Sequence, residues 1–280
     1  MSAQERRSWL SRAVAPADFA CCGRAAAFVR AAAVRAAAPV SAAARALFAA
    51  LACVAALGLG SAVSAAPPAA PDAPLFEQPP PGTPNFTGKW MMTPHITHLL
   101  TVDGREPPLN AAGRAEYARR QAALRAGDRR IDPVSQCLMH GVPRLLYAPY
   151  PFLILQTTRI VSFVHEVNHT FRIIYWDKVL PQDPDPTWLG SSIARLEART
   201  LVIDTIGFND KTWLDYSGLP HGEKLKTEER YTRVAPNRIE GSVTITDPDF
   251  YTTPWTTRFT LVKQPGMSLR ENVCTDTHRM

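Results

Sequence analysis

The sequence predicts a mainly β chain forming a single antiparallel barrel, with one helix ahead of most of its strands. From Phe152 onward, short runs rich in Val, Ile, Thr and aromatic residues recur between Pro, Gly, Asp and Asn breaks: FLILQTT, RIVSFVHE, TFRIIYWD, SSIARLEA, TLVIDTIGF, EKLKTEERYTRV, NRIEGSVTITD and TTRFTLVK. With the stretch at Trp90 they make about nine strands. Their short connections favour a meander, and a long meander closes on itself so that no strand edge stays unpaired. The barrel domain is placed at residues 85–280.

The chain ahead of it has a different composition. Residues 1–65 are dominated by Ala with scattered Arg and end in an apolar stretch, ALFAALACVAALGLG, followed by the small residues of SAVSAA. A basic segment, a short apolar segment and a small-residue cleavage site make a secretory presequence. The apolar stretch is short for a membrane span, so membrane attachment is expected only through an uncleaved presequence. Residues 66–84, APPAAPDAPLFEQPPPGTP, are too rich in Pro for helix or sheet interior and read as a linker. The expected location is periplasmic or secreted.

Removing the presequence changes the charge balance. It holds seven of the 31 Lys and Arg and two of the 25 Asp and Glu, leaving 24 basic against 23 acidic residues. The overall +6 is therefore no sign of a nucleic-acid partner. Cys137 and Cys274 are the two cysteines that remain, and an oxidising compartment pairs them.

The helix is expected from Ala111 to Ala126, with Asn110 as its cap and Gly127 as its stop. Further on, FVHEVNHTF contains His165-Glu166-x-x-His169, the spacing of a zinc hydrolase when carried on a helix. Its flanks are β-branched and aromatic, so the backbone is extended, and residues four apart on one strand are separated by about 13 Å. Two zinc-bound nitrogens lie within about 4.2 Å of each other. The stretch reads instead as a hairpin turning at Asn168-His169, residues that tolerate left-handed angles. A two-residue turn there places His165 opposite Arg172, whereas a three-residue loop would bring the two histidines opposite each other, which keeps a zinc-dependent hydrolase as a lesser alternative; no metal or other cofactor is expected.

NFTGKW puts Gly88 and Trp90 on the first strand, which resembles the opening of a lipocalin-type (calycin) barrel, where the Trp seals the floor. The run from DPTWLG to EERYTRV, with PYPFLILQTTRIV before it and TITDPDFYTTPW after it, resembles a family of exported bacterial proteins. That resemblance implies an exported barrel and brings no reaction with it.

Alternation then selects the candidate site. On EKLKTEERYTRV, Leu225, Thr227, Glu229, Tyr231 and Arg233 share the face expected to point inward, and Lys224, Lys226, Glu228 and Arg230 the outer one. Asp204 shares a face with Val202 and Ile206, which implies a buried carboxylate unless that face is outside. The preceding loop FNDKTWLDYSGLPHGE gathers Asn209, Trp213, Asp215 and His221. Catalytic candidates are His221, Glu229, Tyr231, Asp204 and Asp215; ligand-binding candidates are Trp90, Trp213, Asn209, Arg172 and Tyr175. Each has a structural alternative: Asp215 and Asn209 as turn caps, Glu229 as partner of an arginine such as Arg172, Tyr231 as a core residue with a bonded hydroxyl.

No glycine-rich phosphate loop, Cys-x-x-Cys or nucleophile elbow occurs in the residues after the presequence. Two readings follow: a barrel binding a small, largely apolar molecule, or a cofactor-independent isomerase, lyase or hydratase using acid/base groups at the barrel mouth. A barrel filled by its own side chains, serving as a partner-binding module, is a third.

Overall fold

The computed structural model describes residues 77–176 and 178–274. The expected presequence lies outside the described residues, as does the first part of the linker. Nine strands succeed one another: β1 (Gly88–Met92), β2 (Phe152–Gln156), β3 (Ile160–His165), β4 (Phe171–Trp176), β5 (Ser191–Glu197), β6 (Thr200–Ile206), β7 (Lys226–Ala235), β8 (Arg238–Thr246) and β9 (Trp255–Lys263). Each pairs with the next, and β9 returns to β1 with Val262 opposite Met91, so the sheet is a closed barrel.

The barrel is not purely antiparallel, which corrects the expectation. β4 and β5 run parallel, in register at Tyr175–Ile193 and Trp176–Ala194. Parity requires it. Every antiparallel neighbour reverses direction, so a closed ring holds an even number of antiparallel contacts, and nine strands leave at least one parallel step. A parallel step needs a crossover of about a dozen residues, which the chain between Trp176 and Ser191 supplies.

One helix, α1 (Ala111–Arg125), lies between β1 and β2. Its cap is Asn110, whose Oδ1 accepts from the Gly113 amide at 2.9 Å. Gly113 faces the backbone of Phe250 so closely that a Cβ there would lie 2.3 Å from the Phe250 carbonyl oxygen. One of its arginines, Arg120, is buried, hydrogen-bonded to Glu116 and 5.3 Å from the Trp213 ring.

Period-two alternation fills the barrel. Leu201 and Ile203 of β6, Val243 and Ile245 of β8, and Phe259 and Leu261 of β9 are all buried in one core. Gly241, opposite both Tyr231 and Phe259, is the position that lets two rings meet: their centroids are 5.1 Å apart, and a Cβ on Gly241 would lie 2.1 Å from the Phe259 ring. Trp90 is fully buried. Its indole N–H donates to the Phe86 carbonyl at 2.9 Å, and Arg233 and Lys263 each lie 5.9 Å from its ring.

Between α1 and β2 a strap of short turns, Gly141–Ala148, packs over the barrel. Its Arg144 is gripped by both Asp132 oxygens (2.7 and 2.6 Å) and stacks on Tyr216 at 4.3 Å. Just ahead of the strap, Cys137 is bridged to Cys274 near the end of the described chain, Cα to Cα 5.4 Å. A bridge spanning a sequence separation of 137 restricts the unfolded chain by about 5 kcal/mol at most.

The β3–β4 connection is the expected hairpin with a longer loop than a two-residue turn. Asn168 and His169 adopt left-handed angles (φ 50° and 49°). The register pairs Phe163 with Arg172 and Val164 with Phe171, and the His165 amide donates to the Thr170 carbonyl at 2.7 Å. His165 therefore sits opposite Thr170, two residues from the expected partner. It is buried and His169 exposed, so the two histidines face apart. Among the described residues, no group of three His, Cys, Asp or Glu is placed to hold a metal ion.

Candidate functional site

The inward face of β7 meets β4 in a buried ion pair. Arg172 Nη1 lies 2.7 Å from Glu229 Oε1, and both side chains are almost completely enclosed. Tyr231, two residues along the same strand and so on the same face, donates its hydroxyl to Glu229 Oε2 at 2.6 Å. The rest of the guanidinium is held by the barrel wall. Nε and Nη2 donate to Ser192 Oγ at 3.2 and 2.9 Å, Nη2 donates to Thr205 Oγ1 at 2.6 Å, and the two hydroxyls are 2.9 Å apart. Ser192 and Thr205 can share the arginine because they are direct cross-strand partners on β5 and β6. Burial together with the Glu229 charge pushes the Tyr231 hydroxyl well above its ordinary value, so it stays a hydrogen-bond donor.

His165 of β3 completes the group. Its ring stacks on Phe152 (4.9 Å) and Phe163 (6.4 Å). Burial first, then the neighbouring Arg172 charge, pushes its pKa down to about 3. At neutral pH it is an uncharged imidazole with one N–H and one lone pair. Its ring makes no hydrogen bond to the described residues, and it lines a small cavity with Arg172, Glu229 and Tyr231. Val142, Pro143, Leu145 and Leu146 of the strap line its other side. The space left is about 10 Å³, room for roughly one water-sized group.

The structure divides the residues singled out from the sequence. Arg172, Glu229 and Tyr231 come together. His221 does not join them: its Nε2 is 2.6 Å from Thr212 Oγ1, its Nδ1 is 3.2 Å from the Gly222 carbonyl, and Phe208 meets its ring edge-on. Burial lowers its pKa to about 4. Asp215 is a buried turn cap, accepting the amides of Leu99, Ser217, Gly218 and Leu219. Asn209 caps in the same way, accepting from the Lys211 amide. Trp213 is buried between Arg120 and Arg144, and Trp90 is buried with its indole N–H bonded to the Phe86 carbonyl.

Asp204 and Tyr175 both lie on the outer face, for Asp204 the alternative that alternation left open. Leu201, Ile203 and Thr205 point inward, so Asp204 points outward, where Arg195 binds it. Tyr175 continues an exposed outer stripe with Phe171 and Ile173 on β4, because the inner positions of that strand are Arg172 and Ile174.

Two components of the site are absent from the residues chosen by alternation. His165 was legible only as an inward or outward partner of Arg172, and the ring stacking that fixes it inside needs the register of β2. The strap has no periodicity to read. Its signal is the apolar density of VPRLLYAPY between a helix and a strand, which marks a covered segment without saying what it covers.

Fold and site together define a class: a closed β-barrel with a small polar chamber under a strap. Comparison with family models, curated proteins and solved structures finds no match. What the chamber does has to be argued from its own geometry.

Proposed function

We propose that the protein is an exported barrel that binds a small, largely apolar molecule beneath the strap, with one polar group of that molecule reaching the His165–Glu229 end. The observation that carries this reading is a buried histidine with no hydrogen bond among the described residues, lining a cavity beside the Arg172–Glu229–Tyr231 group. A rigid polar end beside apolar walls is the usual composition of a small-molecule site. The binding reading is favoured over the isomerase, lyase or hydratase reading because the acid/base candidates are engaged. Glu229 is held by Arg172 and Tyr231, Asp215 by four amides, and His221 through both ring nitrogens. Because the space holds little more than a water-sized group, accommodating the body of the ligand requires the strap to move.

Export rests on the presequence and on the Cys137–Cys274 bridge, and it agrees with the resemblance to the exported bacterial family. Among the described residues no helix is long and apolar enough to cross a membrane. Native mass spectrometry after incubation with a bacterial envelope extract tests the binding reading. A retained small-molecule adduct, lost when Leu146→Trp fills the chamber, is expected. Equal retention by both proteins would place binding elsewhere.

A further inference from the structure

We propose that the polar group recognised in this chamber is an uncharged hydroxyl, as in an aliphatic alcohol or phenol, and not a carboxylate. The inference rests on the binding reading above and names the ligand's chemical class. An arginine and a tyrosine converging inside a barrel are the groups a ligand carboxylate would seek, and here that place is already taken. Glu229 meets Arg172 with one oxygen and accepts from Tyr231 with the other. Nε and Nη2 donate to Ser192 and Thr205, and Nη1 faces Glu229, whose charge offsets that of the guanidinium. A second carboxylate would lie against Glu229 with no free cation to offset it, and like charges in a buried site disfavour each other's ionised form.

What the chamber leaves available is neutral and two-sided. Each carboxylate oxygen has more than one lone pair, so Glu229 Oε1 can still accept a hydrogen bond. His165 offers an N–H and a lone pair, with no hydrogen-bond partner among the described residues and only 6% of its surface exposed. A hydroxyl both donates and accepts. It can donate to Glu229 and accept from His165, and its size suits a space of about 10 Å³. Beyond that point the walls are the hydrocarbon of Val142, Leu145, Leu146 and Phe163, which suits an alkyl or aryl body.

The test compares 1-octanol with octanoate by titration calorimetry at pH 7.4, where octanoate is ionised. The wild-type protein should bind the alcohol at least about tenfold more tightly than the acid, the size of one hydrogen bond to a charged group. Leu146→Ala, which enlarges the chamber, should tighten alcohol binding. Glu229→Gln should narrow or reverse the preference. His165→Phe, which keeps the ring stacking if Glu229→Gln fails to fold, should weaken the alcohol about tenfold without improving the acid. Octanoate binding as tightly as octanol would overturn the hydroxyl inference and leave the binding reading standing. Octanol binding unchanged by both Glu229→Gln and His165→Phe would overturn the inference by placing the alcohol elsewhere. No binding of either compound to wild type or Leu146→Ala would overturn both.

Discussion

Two sets of charges lie on opposite faces of β7, one residue apart in sequence. Inside, Glu229 is paired with Arg172 and enclosed on all sides. Outside, Glu228 and Arg230 join Arg195, Glu197 and Asp204 in a ladder of contacts, with side chains roughly a third exposed. Both sets look alike in a count of ion pairs, yet the environments give them different roles. The outer charges are screened by water and mobile, and such pairs contribute about 0–1 kcal/mol. The inner pair has given up its hydration, so each member depends on the other and on the Tyr231, Ser192 and Thr205 hydroxyls. A charge placed inside a barrel at that cost is a feature to be explained, whereas the outer ladder needs no role beyond solubility and strand pairing.

Removing one member of each set is the strongest way to break this comparison. Glu229→Ala leaves Arg172 buried without its counter-charge and should cost about 3–5 kcal/mol in denaturant unfolding. Asp204→Ala should cost below about 1 kcal/mol in the same assay. Equal losses would show that burial does not distinguish the two sets.

Gly241 sharpens the comparison from the packing side, since it holds Tyr231 against Phe259 and so fixes the hydroxyl that reaches Glu229. Gly241→Ala should destabilise by about 1–3 kcal/mol through overpacking, with a fall in thermal midpoint. The isosteric change Tyr231→Phe at the neighbouring position tests the hydrogen bond without the strain.

Histidines separate the two environments by the sign of their pH dependence. His165 is lowered to about 3 in the folded state, against about 6.5 unfolded. Its stabilising contribution is present above pH 6.5 and is lost as pH falls towards 3, because the unfolded chain takes up the proton first. In that window it should add about 1.4 kcal/mol per pH unit to the acid dependence, a slope that His165→Phe should remove. His98 has the opposite sign. It is partly exposed, near Asp215 and Glu106, and its pKa is raised, chiefly by the Asp215 carboxylate. Its contribution is present below the unfolded value near 6.5 and is lost as pH rises through the folded one. His98→Gln should therefore lose more stability at pH 6 than at pH 8, a smaller effect than any at His165.

The sequence shows the inner and outer faces of β7 clearly, because Leu225, Thr227, Glu229 and Tyr231 alternate without a break against Lys224, Lys226, Glu228 and Arg230. The α1 cap at Asn110 and the turn at Asn168-His169 are legible for the same reason, each being a local rule that the fold does not override, whereas the cysteine pair is legible by count, since only Cys137 and Cys274 follow the expected presequence. Asp204 is misleading because its face carries Val202, fully buried yet not part of the barrel core, and the half-buried Ile206, and alternation cannot say which face is in. The parallel step between β4 and β5 was implied by an odd strand count, but not its position. His221 and Asp215 are dense in chemistry and serve the loop's own hydrogen bonding, which a list of polar residues does not reveal. The strap is set by long-range contacts, Arg144 with Asp132 and Tyr216 and Cys137 with Cys274, so no local pattern announces it.

The central claim is that the His165–Glu229 end of the barrel receives a ligand's polar group. A crystal structure of the protein grown with 1-octanol tests this most directly. The account predicts the alcohol oxygen within hydrogen-bond distance of both Glu229 and His165, with its chain leaving beneath a displaced Leu146. An alcohol found only on the exposed Phe171–Ile173–Tyr175 stripe, with the strap closed, would contradict it.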